Sequence, residues 1–470
     1  MASLSPKQLK TAFIGFCVVL LLFLIGTTFP DEDLGPLKIL DSPTQPEVKI
    51  TTLDTLDTPT PSIVPVDDSP SQPENIALNS TSHTEVKVIT EETVTTQHRF
   101  EKPLGVNITG VIFYGRARFV DILDCYLQKN LAVNGGLLDN VLFMTNTDDK
   151  EDLAWLDDLV SRVPQYQTVD VKRPNGAHGW GGFNIIWESL QDPDTIYLKI
   201  DDDIVWIDDN AVPRMIETLI KHPEAHDIAG NIINSPIASF LHYHNGAVHP
   251  FLPDVNPPEQ EGPPEDWRTS LLPPYEGPKS ERYDWKPQDT KPKSNFSTGD
   301  KGGPPFENHR WLPLSDTSED LLRTPISGAS YEAFGMAWKS WAIGAQQHYS
   351  LLRNIEEGRL DRYFFGDREG IWDLQYGRYN LNFLAIRGSS VALALPGGED
   401  EHDLTVKIPL QLKKPCLLDS RALVAHFNFG IQPEIAHTDL LDRYRLYANE
   451  NVCAADNQKS RLPFHGGGQG

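Results

Sequence analysis

Residues Thr195 to Trp206 read TIYLKIDDDIVW, and this stretch constrains the chain more than any other. Ile196, Tyr197, Leu198, Lys199 and Ile200 make the run of a mostly buried strand; three carboxylates follow, and the apolar run resumes at Ile204, Val205 and Trp206. Adjacent like charges repel and gain nothing from a sheet interior, so the pattern calls for a cation beside them, most simply a divalent metal. A solvated acidic turn is the alternative, and the hydrophobic flanks weigh against it. Alternate side chains of an extended chain project to one side, so Asp201 and Asp203 can approach one ion while Asp202 points elsewhere or accepts from backbone. Hard oxygen ligands suit Mn2+ or Mg2+ better than zinc. Such an ion can bind two oxygens of a nucleotide diphosphate and stabilise the charge as that group departs.

The flanking sequence sets the fold class. ITGVIFYG, VLFMTNT and TVDVKR read as strands, Arg118 to Gln128 and Asp148 to Leu159 as helices, FNIIWESL as a helix before the central strand and HDIAGNII as a strand after it. That alternation predicts an α/β domain with a mostly parallel twisted sheet flanked by helices. Ligands of such sheets sit beyond the C-terminal ends of the strands. Farther on, SGASYEAFGMAWKSWAIGAQQHYSLLRNIEEG reads as an entry turn and a long helical region stopped at Gly358, and LNFLAIRG and SRALVAHFNFG read as strands. Residues 251–316 carry proline, charge and isolated aromatics without a period, which suits either a surface insertion or a lid beside an active site.

The chain has 470 residues and a formal charge of −25, which argues against a nucleic-acid partner, because phosphate backbones recruit Lys and Arg. No charged residue stands between Thr11 and Phe29, Lys7 and Lys10 precede that run, and Asp31, Glu32 and Asp33 follow it. The expectation is a short cytoplasmic tail (1–10), a bilayer-spanning anchor (11–30) and a type II topology, with a cleaved signal peptide as the alternative. A Pro/Thr/Ser-rich stem (31–99), one large luminal domain (100–455) and a disordered tail (456–470) complete the expected order. Asn79, Asn107 and Asn295 begin glycosylation acceptors, in agreement with a luminal body. Cys17 lies in the apolar run; the other three cysteines allow one intramolecular bridge, with Cys416–Cys453 the expected pair and Cys125 buried and free.

An apolar strand ending in an Asp-x-Asp element, LKIDDDIVWI, preceded by βα units and fronted by an anchor and stem, resembles the Golgi-type GT-A glycosyltransferases, with no particular family assigned. The resemblance covers Asn107 to about Gln432 and implies Golgi-membrane placement, a nucleotide-diphospho-sugar donor carrying UDP or GDP, and a glycan or glycoprotein acceptor. It implies that Tyr114 and Arg116, at the end of the first strand, and Asp148, after the second, lie near base or ribose. Asn184 would approach the diphosphate from a helix start, with Asp201 on the donor side. His426 would join Asp201 and Asp203 as a third metal ligand, and imidazole accepts Mn2+. Inverting transfer needs a carboxylate to take the acceptor proton. Asp400, with Glu401 as its substitute, fills that role in PGGEDEHDL, although a helix cap would use the same residues. Under retention, which is slightly less favoured, the cluster would orient sugar hydroxyls instead.

Trp338, Trp341, Tyr349, Trp372 and Tyr376 can stack on sugars or fill the core. Because Trp372 and Tyr376 adjoin Asp367, Arg368 and Asp373, that loop is the expected acceptor site. Two other readings remain open: a tethered carbohydrate-binding or cell-wall scaffold protein without catalysis, and a metal-dependent hydrolase or phosphotransferase using the same carboxylates.

Overall fold

The computed structural model describes residues 100, 102–171, 183–254, 256, 262–277, 279, 306–397 and 399–462. The chain divides into two compact units, 1–92 and 93–470, and every described residue belongs to the second. Its centre is a nine-stranded sheet in the order β3-β2-β1-β4-β10-β6-β11-β5, with β9 beside β11. The strands are β1 (Asn107–Tyr114), β2 (Asn140–Thr145), β3 (Tyr166–Asp170), β4 (Thr195–Asp201), β5 (Ile204–Ile207), β6 (Asp227–Ile233), β9 (Ile371–Asp373), β10 (Phe383–Arg387) and β11 (Cys416–His426). A small separate ribbon pairs β7 (Phe251–Pro253) with β8 (Trp311–Pro313).

The expected mostly parallel sheet is corrected to a mixed one. β1, β2, β3, β4, β6 and β11 run one way, whereas β10 inserts antiparallel between β4 and β6, and β5 and β9 pair antiparallel with β11. The sheet also has to curl. β4 and β5 stand four strand positions apart, about 19 Å in a flat sheet. Only Asp202 and Asp203 join them, and three peptide steps reach about 11 Å at most. The ends of β4 and β11 must therefore converge over the tops of β10 and β6.

Apolar side chains on both faces explain why the central strands read as continuous runs. Seven of the eight residues of β1 and all seven of β6 are buried. α1 (Ala117–Asn130) packs on this sheet through Phe119, Val120, Ile122, Leu123 and Tyr126. Its first free N–H is satisfied from outside: Asp152, in α2 (Lys150–Arg162), accepts from Ala117 N at 2.9 Å. α3 (Phe183–Glu188) precedes β4, α4 (Ala211–Lys221) packs on β11, and α5 (Pro236–His244) follows β6.

α6 (Trp341–Glu356) is an almost wholly buried helix, capped by Ser340, whose side chain accepts from Ile343 N at 3.3 Å. It ends just before Gly358, whose φ of +66° is the left-handed stop expected there. Its interior polar groups are paired. His348 contacts Phe427 O at 2.9 Å and Tyr444 Oη at 2.7 Å, while Asn354 donates to Ala247 O at 2.7 Å. The helical segment α7 (400–412) precedes β11, and α8 (Leu440–Asn451) closes the fold.

The expected bridge is also corrected. Cys453, after α8, pairs with Cys125 of α1 at an S–S distance of 2.10 Å, and Cys416 is the buried free thiol. Burial of Cys416 inside the start of β11 removes it from reach of the C-terminus. Lys459 and Asn457 add polar contacts to the same helix, donating to Asp124 Oδ2 at 2.7 and 2.9 Å. The bilayer-spanning anchor expected over 11–30 is withdrawn, with the bilayer partner, the type II topology, the luminal body and the Golgi-membrane placement that depended on it. No helix among the described residues is long and apolar enough to cross a membrane. Residues 11–30 and the expected stem lie outside the described residues.

Burial makes three histidines acid-sensitive. It lowers His242 and His309 to about 3 and His348 to about 4, so each is neutral in the fold and takes a proton near pH 6.5 only on unfolding. Their stabilisation is complete above about pH 6.5 and is lost as pH falls towards 3–4, at up to about 1.4 kcal/mol per pH unit for each. Urea midpoints taken from pH 7.5 to 4.5 should fall, and should fall less steeply in His242→Gln than in the wild type. Parallel curves for the two proteins would refute the neutral buried His242.

Candidate functional site

β1 and β4 lie side by side in parallel with Phe113 opposite Asp201, so the residues just beyond β1 face the carboxylate row. Gly115 N donates to Asp202 Oδ2 at 2.9 Å. A Cβ on Gly115 would stand 3.3 Å from that oxygen, which is why a residue without a side chain suits this approach. Arg116 then grips both following carboxylates. Its Nη2 lies 2.5 Å from Asp202 Oδ1 and 2.9 Å from Asp203 Oδ2, and its Nε lies 3.2 Å from Asp202 Oδ2.

The end of β11 supplies the other wall. His426 Nε2 lies 3.4 Å from Asp203 Oδ2, and Phe427 N donates to the Asp203 carbonyl at 2.9 Å. Burial pushes the Asp203 carboxyl up, but His426 and Arg116 outweigh it and hold the group well below the usual carboxylate range. Behind this wall, Asn234 Nδ2 donates to Phe427 O at 3.1 Å, so the loop after β11 is fixed from beneath by both Asn234 and His348.

Asp201 faces a different partner. Lys199 Nζ lies 2.5 Å from Asp201 Oδ1 and 2.7 Å from Leu381 O, and stands 4.7 Å from the centre of the Phe113 ring. Asn382, just before β10, donates to Asp201 Oδ2 at 2.7 Å. Asp400 joins this side: its Oδ2 accepts from Trp187 Nε1 at 3.3 Å. Burial raises the Asp400 carboxyl against the opposing pull of Lys199 and Trp187. Glu401 is likewise raised by burial, with Arg378 pulling the other way from 2.6 Å.

The remaining expected residues divide. Tyr114 is fully buried and its hydroxyl donates to Asp152 O at 2.6 Å, which commits it to joining β1 and α2. Asp148 is exposed in the β2–α2 turn, where its neighbour Asp149 caps α2 by accepting from the Glu151 and Asp152 amides. Asn184 lies on α3, and its side chain is outside the described residues. The loop expected to receive the acceptor is set apart from the carboxylate row. β9 pairs with Leu417 to Asp419, at the start of β11, so Trp372 stands at the sheet edge opposite His426, some 25 Å away by strand rise. Trp341 and Tyr349 are core residues.

Lys199 and Asn382, like Trp187 and Arg378, are site residues that no sequence motif singles out. A lysine inside an apolar strand was the available signal for the first; Asn382 carries none, because only the sheet order brings it to Asp201.

The cation that the carboxylate row demanded is thus largely intrinsic: Arg116 for Asp202 and Asp203, Lys199 for Asp201. Among the described residues no group of three or more His, Cys, Asp or Glu is arranged to hold a metal. Asp203 and His426, which face each other at 3.4 Å, are the residues of this row that would have to hold a hard divalent ion, and Arg116 shares the same Asp203 oxygen at 2.9 Å. Asp201 is turned to Lys199 and Asn382 instead.

No family model and no curated protein matches the chain. Solved structures similar to part of it include a glucosyl-3-phosphoglycerate synthase from Mycobacterium tuberculosis in complex with Mn2+, uridine diphosphate and glucosyl-3-phosphoglycerate, at 15% identity over 28% of this chain and 50% of that one, with a TM-score of 0.21. A 4-diphosphocytidyl-2C-methyl-D-erythritol synthase from Anaerococcus prevotii shares 13% identity over 27% of this chain and 56% of that one, with a TM-score of 0.20. A second structure of the same description shares 12% identity over 27% and 59%, with a TM-score of 0.21. The chain thus spans little more than half the length of these structures. The likeness to GT-A-like nucleotidyl- and glycosyltransferase folds is weak, partial and a matter of fold alone.

Proposed function

We propose that this domain transfers a sugar from a nucleoside-diphosphate sugar to a glycan hydroxyl with inversion. The observation that carries the reading is the meeting of Arg116, Asp203 and His426 where the curled sheet brings strand ends together, the place at which α/β sheets bind ligands, with Asp400 on the adjoining Asp201–Lys199 side. Arg116 is cationic, which suits a diphosphate, and Asp400 is a half-buried carboxylate suited to taking a proton.

In this reading Arg116 turns its guanidinium to the leaving diphosphate, for which more than a third of its side chain is exposed (38%). A hard divalent ion, Mn2+ or Mg2+, would be held by Asp203 and His426 and would add positive charge for the departing group. Asp400 accepts the proton of the acceptor hydroxyl as that oxygen bonds to the anomeric carbon. The bond from that carbon to the diphosphate breaks, and its electron pair leaves with the nucleotide. Glu401, tied to Arg378, orients the acceptor.

Calorimetric titration with UDP and with GDP, each with and without Mn2+, tests the reading. One of the two nucleotides is expected to bind, and to weaken at least tenfold in Asp203→Asn and in Arg116→Met. If neither nucleotide binds a chain shown to be folded, the transferase reading falls and a carbohydrate-binding scaffold takes its place.

A further inference from the structure

We infer that Phe334, Trp338 and Phe429 form a stacking platform for a neutral sugar of the acceptor, opening directly off the carboxylate site; the word acceptor rests on the transferase reading. The Phe429 ring lies 4.5 Å from the imidazole of His426 and 6.3 Å from Trp338, and Trp338 lies 5.2 Å from Phe334. At the outer end Arg378 stands 4.6 Å above the Phe334 ring while pairing with Glu399 and Glu401. A line of aromatic contacts therefore runs from the histidine beside Asp203 to the residues next to Asp400.

Three properties suit this surface to a saccharide. It is open, since Phe334 is 49% exposed and neither Trp338 nor Phe429 is buried. Pyranose rings present apolar C–H faces to aromatic rings, while their hydroxyls take charge-assisted bonds from groups at the edge. Arg378, Glu399 and Glu401 provide such an edge. The surface is also held in place. Buried Gln432 donates to Ala337 O at 3.2 Å and Ser340 O at 3.1 Å on the Trp338 side, and its Oε1 accepts from Phe429 N at 3.3 Å on the other. One side chain thus fixes the spacing of Trp338 and Phe429 before any ligand arrives, which lowers the ordering cost of binding.

The test is saturation-transfer NMR on the full chain with three neutral probes, mannotriose, cellotriose and triacetylchitotriose, beside the UDP and GDP titrations. At least one trisaccharide is expected to bind, and Phe334→Ser and Trp338→Ala are each expected to weaken it about tenfold while leaving nucleotide affinity unchanged. Phe334→Ser, at an exposed position, keeps the test valid should Trp338→Ala fail to fold. Trisaccharide affinity that survives both substitutions overturns the platform, as does failure of all three probes to bind. Trisaccharide binding that depends on Phe334, in a chain that binds no nucleotide, upholds the platform and rejects the transferase reading.

Discussion

Asp400→Asn is expected to lower kcat by two to four orders of magnitude while nucleotide affinity stays within a few fold of the wild type. Asparagine keeps the shape and can still accept from Trp187 Nε1, but it cannot take a proton. The pH profile supplies a second readout. Burial raises the Asp400 carboxyl above its ordinary value, and the ionised form is the active one, so kcat/KM of the wild type should climb with pH through that raised pKa and level off above it. The acid limb should vanish from whatever activity Asp400→Asn retains. A variant within threefold of wild-type kcat would remove Asp400 from the mechanism, and Glu401→Gln would be the next substitution to measure.

Loss of the Cys125–Cys453 bridge is expected to be the costliest change to stability. The two cysteines are 328 residues apart, so the cross-link restricts nearly the whole folded unit in its denatured state. For a loop of this size the double variant Cys125→Ser, Cys453→Ser should lose about 3–5 kcal/mol, read from urea midpoints, and should no longer respond to reductant. The cost is limited by what remains, because Lys459 and Asn457 still fasten the C-terminal stretch to Asp124. Equal midpoints for wild type and variant would mean that these polar contacts alone position the end of the chain.

Much of this architecture was legible because burial on both faces leaves a strand few polar positions. ITGVIFYG, TIYLKI and HDIAGNII all show it, and the structure makes each a central strand. Strand direction was not legible: LNFLAIRG has the same apolar look whether it runs with β4 or against it, and its antiparallel pairing, with those of β5 and β9, makes the sheet mixed. Cysteine pairing was hidden for a similar reason, since proximity in sequence favoured Cys416 while the fold placed Cys453 beside α1. At the site, the acidic row and the histidine of ALVAHFNFG were visible as anomalies in apolar runs, and the structure sets Asp203 and His426 together. The row does have cations beside it, but sequence does not distinguish an external ion from Arg116 and Lys199. The loop at Trp372 looked like an acceptor site because its aromatics and charges adjoin, and nothing local reveals to which edge of a sheet a short strand belongs.

The two residues between β4 and β5 act as a stitch. Asp202 and Asp203 leave a strand laddered to β1 and β10 and enter one laddered to β11, so their backbone is anchored in two parts of the sheet that are distant in sequence. Neither anchorage alone can fix the carboxylates, because β11 is made more than two hundred residues after β4. The site therefore comes into existence only when the first and last strands of the domain have met. A chain truncated before β11 would keep all three aspartates and Arg116, yet have no geometry in which to use them, and any ligand that recognises the row would report on the completeness of folding as much as on chemistry.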